Sequence, residues 1–156
     1  MRIQNIFFAG LNPLMRYLLK SRFHGIASDN IAILSYRGVK TGHEYETPLS
    51  YVKRGETILF LSNYNTRWWR NFSDEPYAVK LLIKKKTILG QARLYSGKSE
   101  FLLSGVAYFL NKLPRDASIY KIKLDSDGNP TKTSMDNIED RVILVAVEET
   151  KHKGND

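Results

Sequence analysis

Short β-strand patterns follow one another from residue 30 onward, and most of them are separated only by a tight turn. Turn signals stand at residues 37–42, 53–56 and 84–86. Tight turns join antiparallel neighbours, whereas parallel strands need a crossover of about a dozen residues. The predicted strands are 31–36, 45–52, 57–62, 77–83, 87–95, 119–124 and 141–147. The pattern predicts a mainly β, β-rich α+β fold: an antiparallel barrel with helical additions, and not a doubly wound parallel sheet.

Helical patterns stand at three places beside the strands. Asn12 and Pro13 suit the N-cap and first position of a helix over about 13–21. A short helix is predicted near 67–73, and apolar residues at helical spacing predict a longer one over 99–113. These features add a covering layer to the barrel.

No linker, repeat or low-complexity stretch divides the 156 residues, so we expect a single domain. It would comprise an N-terminal helical segment over 1–29, the barrel over 30–148 and a polar tail over 149–156. The segment 113–140 is long and largely polar, and its sequence assigns it no function.

The composition is basic and free of cysteine. The 24 Lys and Arg residues against 16 Asp and Glu give a net charge of +8, which suits an anionic partner or simply a lysine-rich surface. Without cysteine there is no disulfide framework and no thiolate metal site. His24, His43 and His152 lie far apart in sequence, so no metal site is predicted.

Residues 3–19 lean apolar, but polar residues such as Asn5 and Arg16 interrupt them. The stretch is too polar to span a bilayer and lacks the pattern of a cleavable signal peptide. We therefore expect a cytoplasmic protein without a transmembrane segment. The helix predicted over 13–21 suits peripheral contact with a membrane surface, although such helices more often cover a sheet.

The turn at residues 37–42 offers two cations, a hydroxyl and two glycines within six residues. A bound phosphate needs cationic partners and backbone that can bring N–H groups close, and this turn supplies both. The spacing matches neither a Walker loop nor a dinucleotide-binding fingerprint. The competing interpretation is an ordinary β-turn whose cations are solvated.

A second segment, Arg67-Trp68-Trp69-Arg70-Asn71-Phe72, places two adjacent indoles between two arginines. This combination suits a flat, anionic, aromatic ligand. Neighbouring residues on a helix point about 100° apart, so one indole is expected to pack inward while the other meets a ligand or partner. The alternative places both indoles in a core or an interface.

Lys84, Lys85 and Lys86 form a run between two predicted strands. The simplest interpretation is a solvated hairpin tip that also protects a sheet edge from pairing with another chain. Together with the segment 67–72, a nucleic-acid-binding surface is conceivable. The basic residues are spread along the chain rather than gathered in one recognition element, which ranks that interpretation last.

The order of these elements resembles the deazaflavin-dependent nitroreductase family, within the wider flavin-binding split-barrel group. The matching stretch, about 33–94, contains in order Gly38-Val39-Lys40-Thr41-Gly42, Thr47-Pro48-Leu49, Leu59-Phe60-Leu61-Ser62, Trp68 or Trp69 with Asn71-Phe72, and Glu75-Pro76. Val39 stands where the family often has an arginine, and the segment 113–140 has no counterpart.

The resemblance implies a split β-barrel that binds coenzyme F-420, a hydride-carrying flavin analogue with a phosphate-linked oligoglutamate tail. It implies that the turn lies by the cofactor phosphate, the next strand under the ring and the short helix at the pocket. The residues implied in cofactor binding are Arg37, Gly38, Lys40, Thr41, Thr47, Pro48, Ser62, Asn63, Trp68 and Asn71. Lysines such as Lys53 and Lys80 would serve the tail.

The implied activity is hydride transfer from reduced coenzyme F-420 to an electron-poor small molecule such as a quinone, an activated alkene or a nitro compound. Tyr64, Tyr120 or solvent would supply the proton. An FMN-binding split-barrel oxidoreductase, a non-catalytic cofactor carrier and, more remotely, a nucleic-acid-binding barrel remain open. Such barrels are often dimers, so the resemblance implies a homodimer.

Overall fold

The computed structural model describes residues 30–151. The predicted helix over 13–21, the rest of the segment 1–29 and most of the polar tail lie outside the described residues. The strands are β1 (Ile31–Arg37), β2 (Glu44–Ser50), β3 (Val52–Arg54), β4 (Thr57–Asn63), β5 (Tyr77–Ile83), β6 (Lys86–Tyr95) and β7 (Val142–Glu149). Helix α1 covers Glu100–Lys112, and 3-10 helices cover Trp68–Asn71, Pro114–Tyr120 and Ile138–Asp140.

The described strands form one sheet in the order β2-β1-β5-β6-β7-β4-β3, and every neighbouring pair is antiparallel. The two edge strands, β2 and β3, are consecutive in the chain and are separated only by Tyr51. A single residue cannot cross the width of a flat seven-stranded sheet, since neighbouring strands lie about 4.8 Å apart. The sheet is therefore curled until its edges meet, which confirms the predicted antiparallel barrel.

Strands β4 and β7 are buried on both faces because they lie between two hydrophobic cores. Along β4, Phe60 packs into the barrel interior while its neighbour Leu61 packs beneath the helices, as the two-residue period of a strand requires. Val145 and Leu144 divide in the same way along β7. Four buried aromatic residues of the barrel core form a chain of edge-on ring contacts, and they are Tyr36, Phe72, Trp68 and Phe60.

Helix α1 closes the second core and matches the helix predicted over 99–113. The Ser99 side chain accepts a hydrogen bond from the backbone N–H of Leu102, which caps the helix. At Gly105 a Cβ atom would lie 2.6 Å from Cδ2 of Leu144, so only glycine permits this close approach to β7.

Two predicted strands differ from the structure. The predicted strand 45–52 is interrupted at Tyr51, where the chain leaves one edge of the sheet for the other. The predicted strand 119–124 is wrong: Pro114–Tyr120 is a 3-10 helix, and Lys121 follows it with left-handed backbone. Ile119 is 58% exposed, so the alternation that suggested a strand does not mark a buried face. Within residues 30–151, no helix has the length and apolar character needed to cross a membrane.

Candidate functional site

The two segments singled out in the sequence meet at one end of the barrel. The turn over 38–42 follows the end of β1, and the helix Trp68–Asn71 follows the end of β4. The backbone N–H of Val39 donates a 3.0 Å hydrogen bond to Oδ1 of Asn71, across 32 residues of sequence. The Tyr77 hydroxyl, at the start of β5, donates to the Arg37 carbonyl at 2.6 Å and anchors the base of the turn. We call residues 37–42 and 62–71 at this end the candidate site.

The turn is a single helix-like loop with unused donors. Its ends are held by hydrogen bonds from the Gly42 N–H to the Gly38 carbonyl, 2.9 Å, and from the Gly38 N–H to the His43 carbonyl, 2.8 Å. Within residues 30–151, the backbone N–H groups of Lys40 and Thr41 have no acceptor. Unpaired N–H groups at the start of a helical turn attract anions.

Gly38 is buried, and its lack of a side chain gives the turn its shape. A Cβ atom at this position would lie 2.5 Å from Cε2 of Tyr45 and 2.8 Å from Oγ1 of Thr41. The Thr41 hydroxyl is itself held by the Tyr45 hydroxyl at 2.8 Å and accepts from the His43 N–H at 3.2 Å. The Thr41 side chain therefore braces the turn from within.

The cations of the turn differ in their availability. The Arg37 guanidinium forms an exposed ion pair with Glu44 across the β1–β2 hairpin, with 3.2 Å between Nε and Oε1. The Lys40 side chain is exposed and makes no ion pair with the described residues. An incoming anion meets Lys40 first, because it need not displace an internal carboxylate there.

The two indoles divide as their helical neighbourhood predicts. Trp68 is 5% exposed and packs edge-on against Phe60 and Phe72 in the barrel core. Trp69 is half-buried, and its indole N–H donates to the Asn63 carbonyl at 3.2 Å. The Arg70 guanidinium lies 5.4 Å from the Trp69 ring centroid. Trp69 is therefore the indole whose ring remains available to a ligand.

Other predicted residues at this end have internal roles. The Asn71 side chain accepts from Val39 and donates to the Trp68 carbonyl at 2.9 Å, so both halves of its amide are used. Ser62 is buried, and its hydroxyl is hydrogen bonded to the Thr66 hydroxyl. The Asn63 Oδ1 accepts from the backbone N–H of Asn65 at 3.0 Å. These contacts fix the backbone that carries Trp69 and Asn71.

Thr47 and Pro48 lie on opposite faces of β2, because successive strand residues alternate. Thr47 is 2% exposed in the barrel interior, and its side chain is hydrogen bonded to that of Tyr36. Burial raises the pKa of Tyr36, and the hydrogen bond from Thr47 partly opposes this rise. Only Thr47 lies on the interior side, where the buried rings of Tyr36, Trp68 and Phe72 form the aromatic floor of the candidate site.

The two proton-donor candidates lie apart from each other. The Tyr64 hydroxyl, beside Trp69, donates to the Glu139 carbonyl at 2.8 Å. Tyr120 packs on the second core, beyond the sheet from the barrel interior. Burial and the nearby Asp116 carboxylate raise the pKa of Tyr120 well above its ordinary value. Neither phenol offers an unengaged acidic proton at the candidate site.

A cleft of about 220 Å³ lies elsewhere, on the outer face of β6 and β7, with Arg93, Tyr95 and Glu148 among its lining residues. The candidate site is an open surface at the barrel end and depends on an aromatic floor rather than on an enclosed cavity. Trp69 and Arg70 belong to this surface, although the residue set implied by the resemblance omits them. The sequence contained the signal, two adjacent indoles, without indicating which of them faces outward.

Comparison with known proteins gives the fold. The chain matches no protein-family model and no curated protein. The heme storage protein HutZ from Vibrio cholerae superposes with a TM-score of 0.52 at 14% identity, over 90% of this chain and 91% of that one. A Clostridium acetobutylicum protein related to general stress protein 26, of the pyridoxinephosphate oxidase family, gives 0.51 at 10% identity, over 88% and 90%.

A solved structure named as an F-420 reductase covers 80% of this chain and 89% of its own length, at 12% identity and a TM-score of 0.44. Likenesses this remote in sequence carry information about architecture alone. With its curled antiparallel sheet and covering helix, the chain has the split β-barrel fold.

Proposed function

We propose that this protein binds coenzyme F-420 and transfers a hydride from its reduced form to an electron-poor small molecule, such as a quinone, an activated alkene or a nitro compound. One observation carries the proposal: the hydrogen bond between Val39 and Asn71 joins the turn to the tryptophan helix. Anion-binding donors and a half-exposed indole thereby share one end of the barrel. Such a pairing suits a ligand that has both a phosphate and an aromatic ring.

The residues of the site fit the two halves of such a cofactor. The N–H groups of Lys40 and Thr41, together with the Lys40 ammonium, would hold the phosphate. Trp69 would lie against the ring, and Arg70 beside it would add positive charge. When bound, a reduced deazaflavin supplies the hydride, and the protein supplies position and electrostatics.

The chain's own contribution is rigidity at the ring end. Tyr36 and Trp68 are buried and both pack against the buried ring of Phe72, so the surface above them cannot easily tilt. A fixed floor holds donor and acceptor in the orientation that transfer needs. The proton that completes the reduction would come from solvent, because the hydroxyls of Tyr64 and Tyr120 are engaged or distant.

A non-catalytic cofactor carrier is the second candidate. It is favoured because the Tyr64 hydroxyl is engaged and Tyr120 is distant, so neither phenol is available as a proton donor. A carrier needs the turn over 38–42 and the Trp69 indole to hold the cofactor, but it needs no proton donor. An FMN-binding oxidoreductase would use the same turn, because FMN also combines a phosphate with an aromatic ring.

A titration of the purified chain with F-420 and, in parallel, with FMN tests the binding step through cofactor fluorescence. We expect F-420 to bind more tightly, and Lys40→Ala to weaken its binding by about tenfold or more through loss of one charge-assisted contact. Lys123→Ala is the matched control, because Lys123 is exposed in the segment between α1 and β7 and has no predicted role in cofactor binding. Tighter binding of FMN, or an equal loss in both variants, would contradict the proposal.

Turnover separates the enzyme from the carrier. Reduced F-420 is mixed with menadione or a nitroaromatic compound, and its oxidation is followed by absorbance. We expect protein-dependent oxidation that falls in Lys40→Ala and in Asn71→Ala, since both variants disturb the joined segments. Tight F-420 binding without any acceleration of oxidation would assign the protein to the carriers.

A further inference from the structure

The β5–β6 hairpin ends in a strained tip that carries three adjacent lysines. Ile83 pairs with Lys86, so the loop consists of two residues, Lys84 and Lys85. Both have left-handed backbone, with φ of 48° and 67°. Such a turn is normally built from Asn-Gly or similar pairs, because left-handed backbone is unfavourable for a residue that has a Cβ atom.

Charge adds to this cost. All three lysines of the tip are exposed. The ion pairs among the described residues involve Arg37, Arg115 and Lys151, so the lysine tip (Lys84, Lys85 and Lys86) has no internal counter-ion there. Neighbouring ammonium groups repel one another.

Protection of a sheet edge accounts for the lysines only in part. In the order β1-β5-β6-β7, both strands of this hairpin have neighbours, but β7 pairs with β6 only from Gly90 onward and β1 pairs with β5 only as far as Leu82. The end of the hairpin therefore projects beyond its neighbours, and the protective role expected from the sequence stays a prediction. Protection of an edge does not require left-handed backbone at two lysines, so a turn that is unfavourable in both backbone and charge points to a binding role as well.

The lysine tip lies at the end of the barrel opposite the candidate site. Tyr77, at the start of β5, is bonded to the base of the turn, and the tip follows Ile83, the last residue of β5. Seven strand residues separate the two ends by roughly 20 Å. The tip therefore belongs to a surface separate from the candidate site.

The chain enters the barrel at this same end. The Asn30 carbonyl accepts from the Tyr51 N–H, and Ile31 pairs with Ser50 beside the end of β5. The sequence before Asn30 contains apolar residues with Arg2, Arg16, Lys20 and Arg22, and its first acidic residue is Asp29. Apolar residues interspersed with cations are typical of segments that bind membrane surfaces.

We propose that the lysine-tip end of the barrel docks on an anionic phospholipid bilayer. The lysine tip would contact the headgroups, and the apolar residues that precede Asn30 would supply the second attachment that stable anchoring needs. Among the described residues, the exposed large aromatics are Tyr64 and Phe101, which lie away from the tip. Nucleic-acid surfaces commonly stack bases on such rings, so a bilayer is the better fit.

Sedimentation of the full chain with vesicles tests the proposal. We expect binding to phosphatidylcholine vesicles that contain phosphatidylglycerol, little binding to phosphatidylcholine alone, and weakening by salt. The double variant Lys84→Asn/Lys85→Gly should lower the association constant about thirtyfold, because each basic residue near an anionic surface contributes about fivefold. It should also raise the melting temperature, since it supplies the residues that the turn prefers.

The matched control is Lys123→Asn/Lys132→Asn, which removes the same charge from exposed positions elsewhere. It should change vesicle binding much less. An equal loss of vesicle binding in both double variants would overturn the proposal, because net charge and not the lysine tip would then account for the binding. Tip-dependent binding to a mixed-sequence DNA duplex that exceeds binding to anionic vesicles would assign the surface to nucleic acid instead. Neither result bears on cofactor binding at the other end of the barrel.

Discussion

Single residues decide how closely the parts of the candidate site approach. Gly38 fits between Tyr45 and Thr41 only because it has no side chain. Asn71 uses both ends of its amide to join two segments that are distant in sequence. Thr41 and Ser62 are likewise engaged with protein partners. Many of the polar side chains at this end therefore hold backbone in place, which leaves the exposed Lys40 and the half-buried Trp69 as the groups proposed to meet a ligand.

Replacement of Gly38 by alanine tests this arrangement. The added methyl group would overlap the Tyr45 ring and the Thr41 hydroxyl, and overpacking of this kind costs about 1–3 kcal/mol. We expect urea denaturation to show a loss of that size, together with weaker binding of F-420. Gly42→Ala is the control: its φ is 70° but its surroundings are open, so only about 1 kcal/mol should be lost. A smaller loss for Gly38→Ala than for Gly42→Ala would contradict the steric account.

At the scale of elements, the segment between α1 and β7 depends on a few contacts rather than on a sheet. Its backbone contains two short 3-10 helices and one isolated bridge, between Leu124 and Pro130. The half-buried Arg141 guanidinium donates to the Tyr120 carbonyl at 3.1 Å and to the Ser134 carbonyl at 2.7 Å. One side chain thus connects both parts of the segment to the start of β7.

Arg141→Met should therefore loosen this segment. Two charge-assisted hydrogen bonds would be lost and two carbonyls left without this donor, at a cost of about 2–3 kcal/mol. We expect faster amide hydrogen exchange over residues 114–140, with a smaller change in β4 and β7. Arg93→Met is the control, because Arg93 is exposed on β6 and makes no ion pair with the described residues. Unchanged exchange over 114–140 would show that packing alone holds the segment.

At the scale of the whole molecule, two cores on opposite faces of one sheet share β4 and β7. Each core contains or borders a tyrosine whose phenol is shielded from water, Tyr36 in the barrel and Tyr120 beneath the helices. Burial raises the pKa of both phenols, and the Asp116 carboxylate raises that of Tyr120 further. The folded state therefore favours their neutral forms.

Stability should fall as the pH rises above about 10, the ordinary pKa of tyrosine. In that range the unfolded chain releases phenolic protons that the folded chain retains, so the folded state binds more protons and each further rise in pH disfavours it. Each tyrosine contributes at most about 1.4 kcal/mol per pH unit. Urea denaturation between pH 8 and 11 should show a shallower decline for Tyr36→Phe/Tyr120→Phe than for the parent chain. Parallel declines would contradict the expectation.

The sequence by itself determined the features that depend on neighbouring residues. Short apolar runs and tight turns predicted most strands, their antiparallel pairing and the final strand, and helical spacing with Ser99 and Pro114 bounded helix α1. The structure confirms these because strand alternation, turn geometry and capping are local properties of the backbone. The roles assigned to the individual site residues stay predictions.

Only the tertiary structure decided what depends on distant partners. It moved the chain at Tyr51 from one sheet edge to the other, since barrel closure joins strands far apart in the sheet order. It placed Trp68 in the core, edge-on against Phe60 and Phe72, and left Trp69 half-buried at the end of the barrel. It also placed the lysine tip and the turn over 38–42 at opposite ends of the barrel. Such outcomes follow from packing across the whole sheet, which no local pattern specifies.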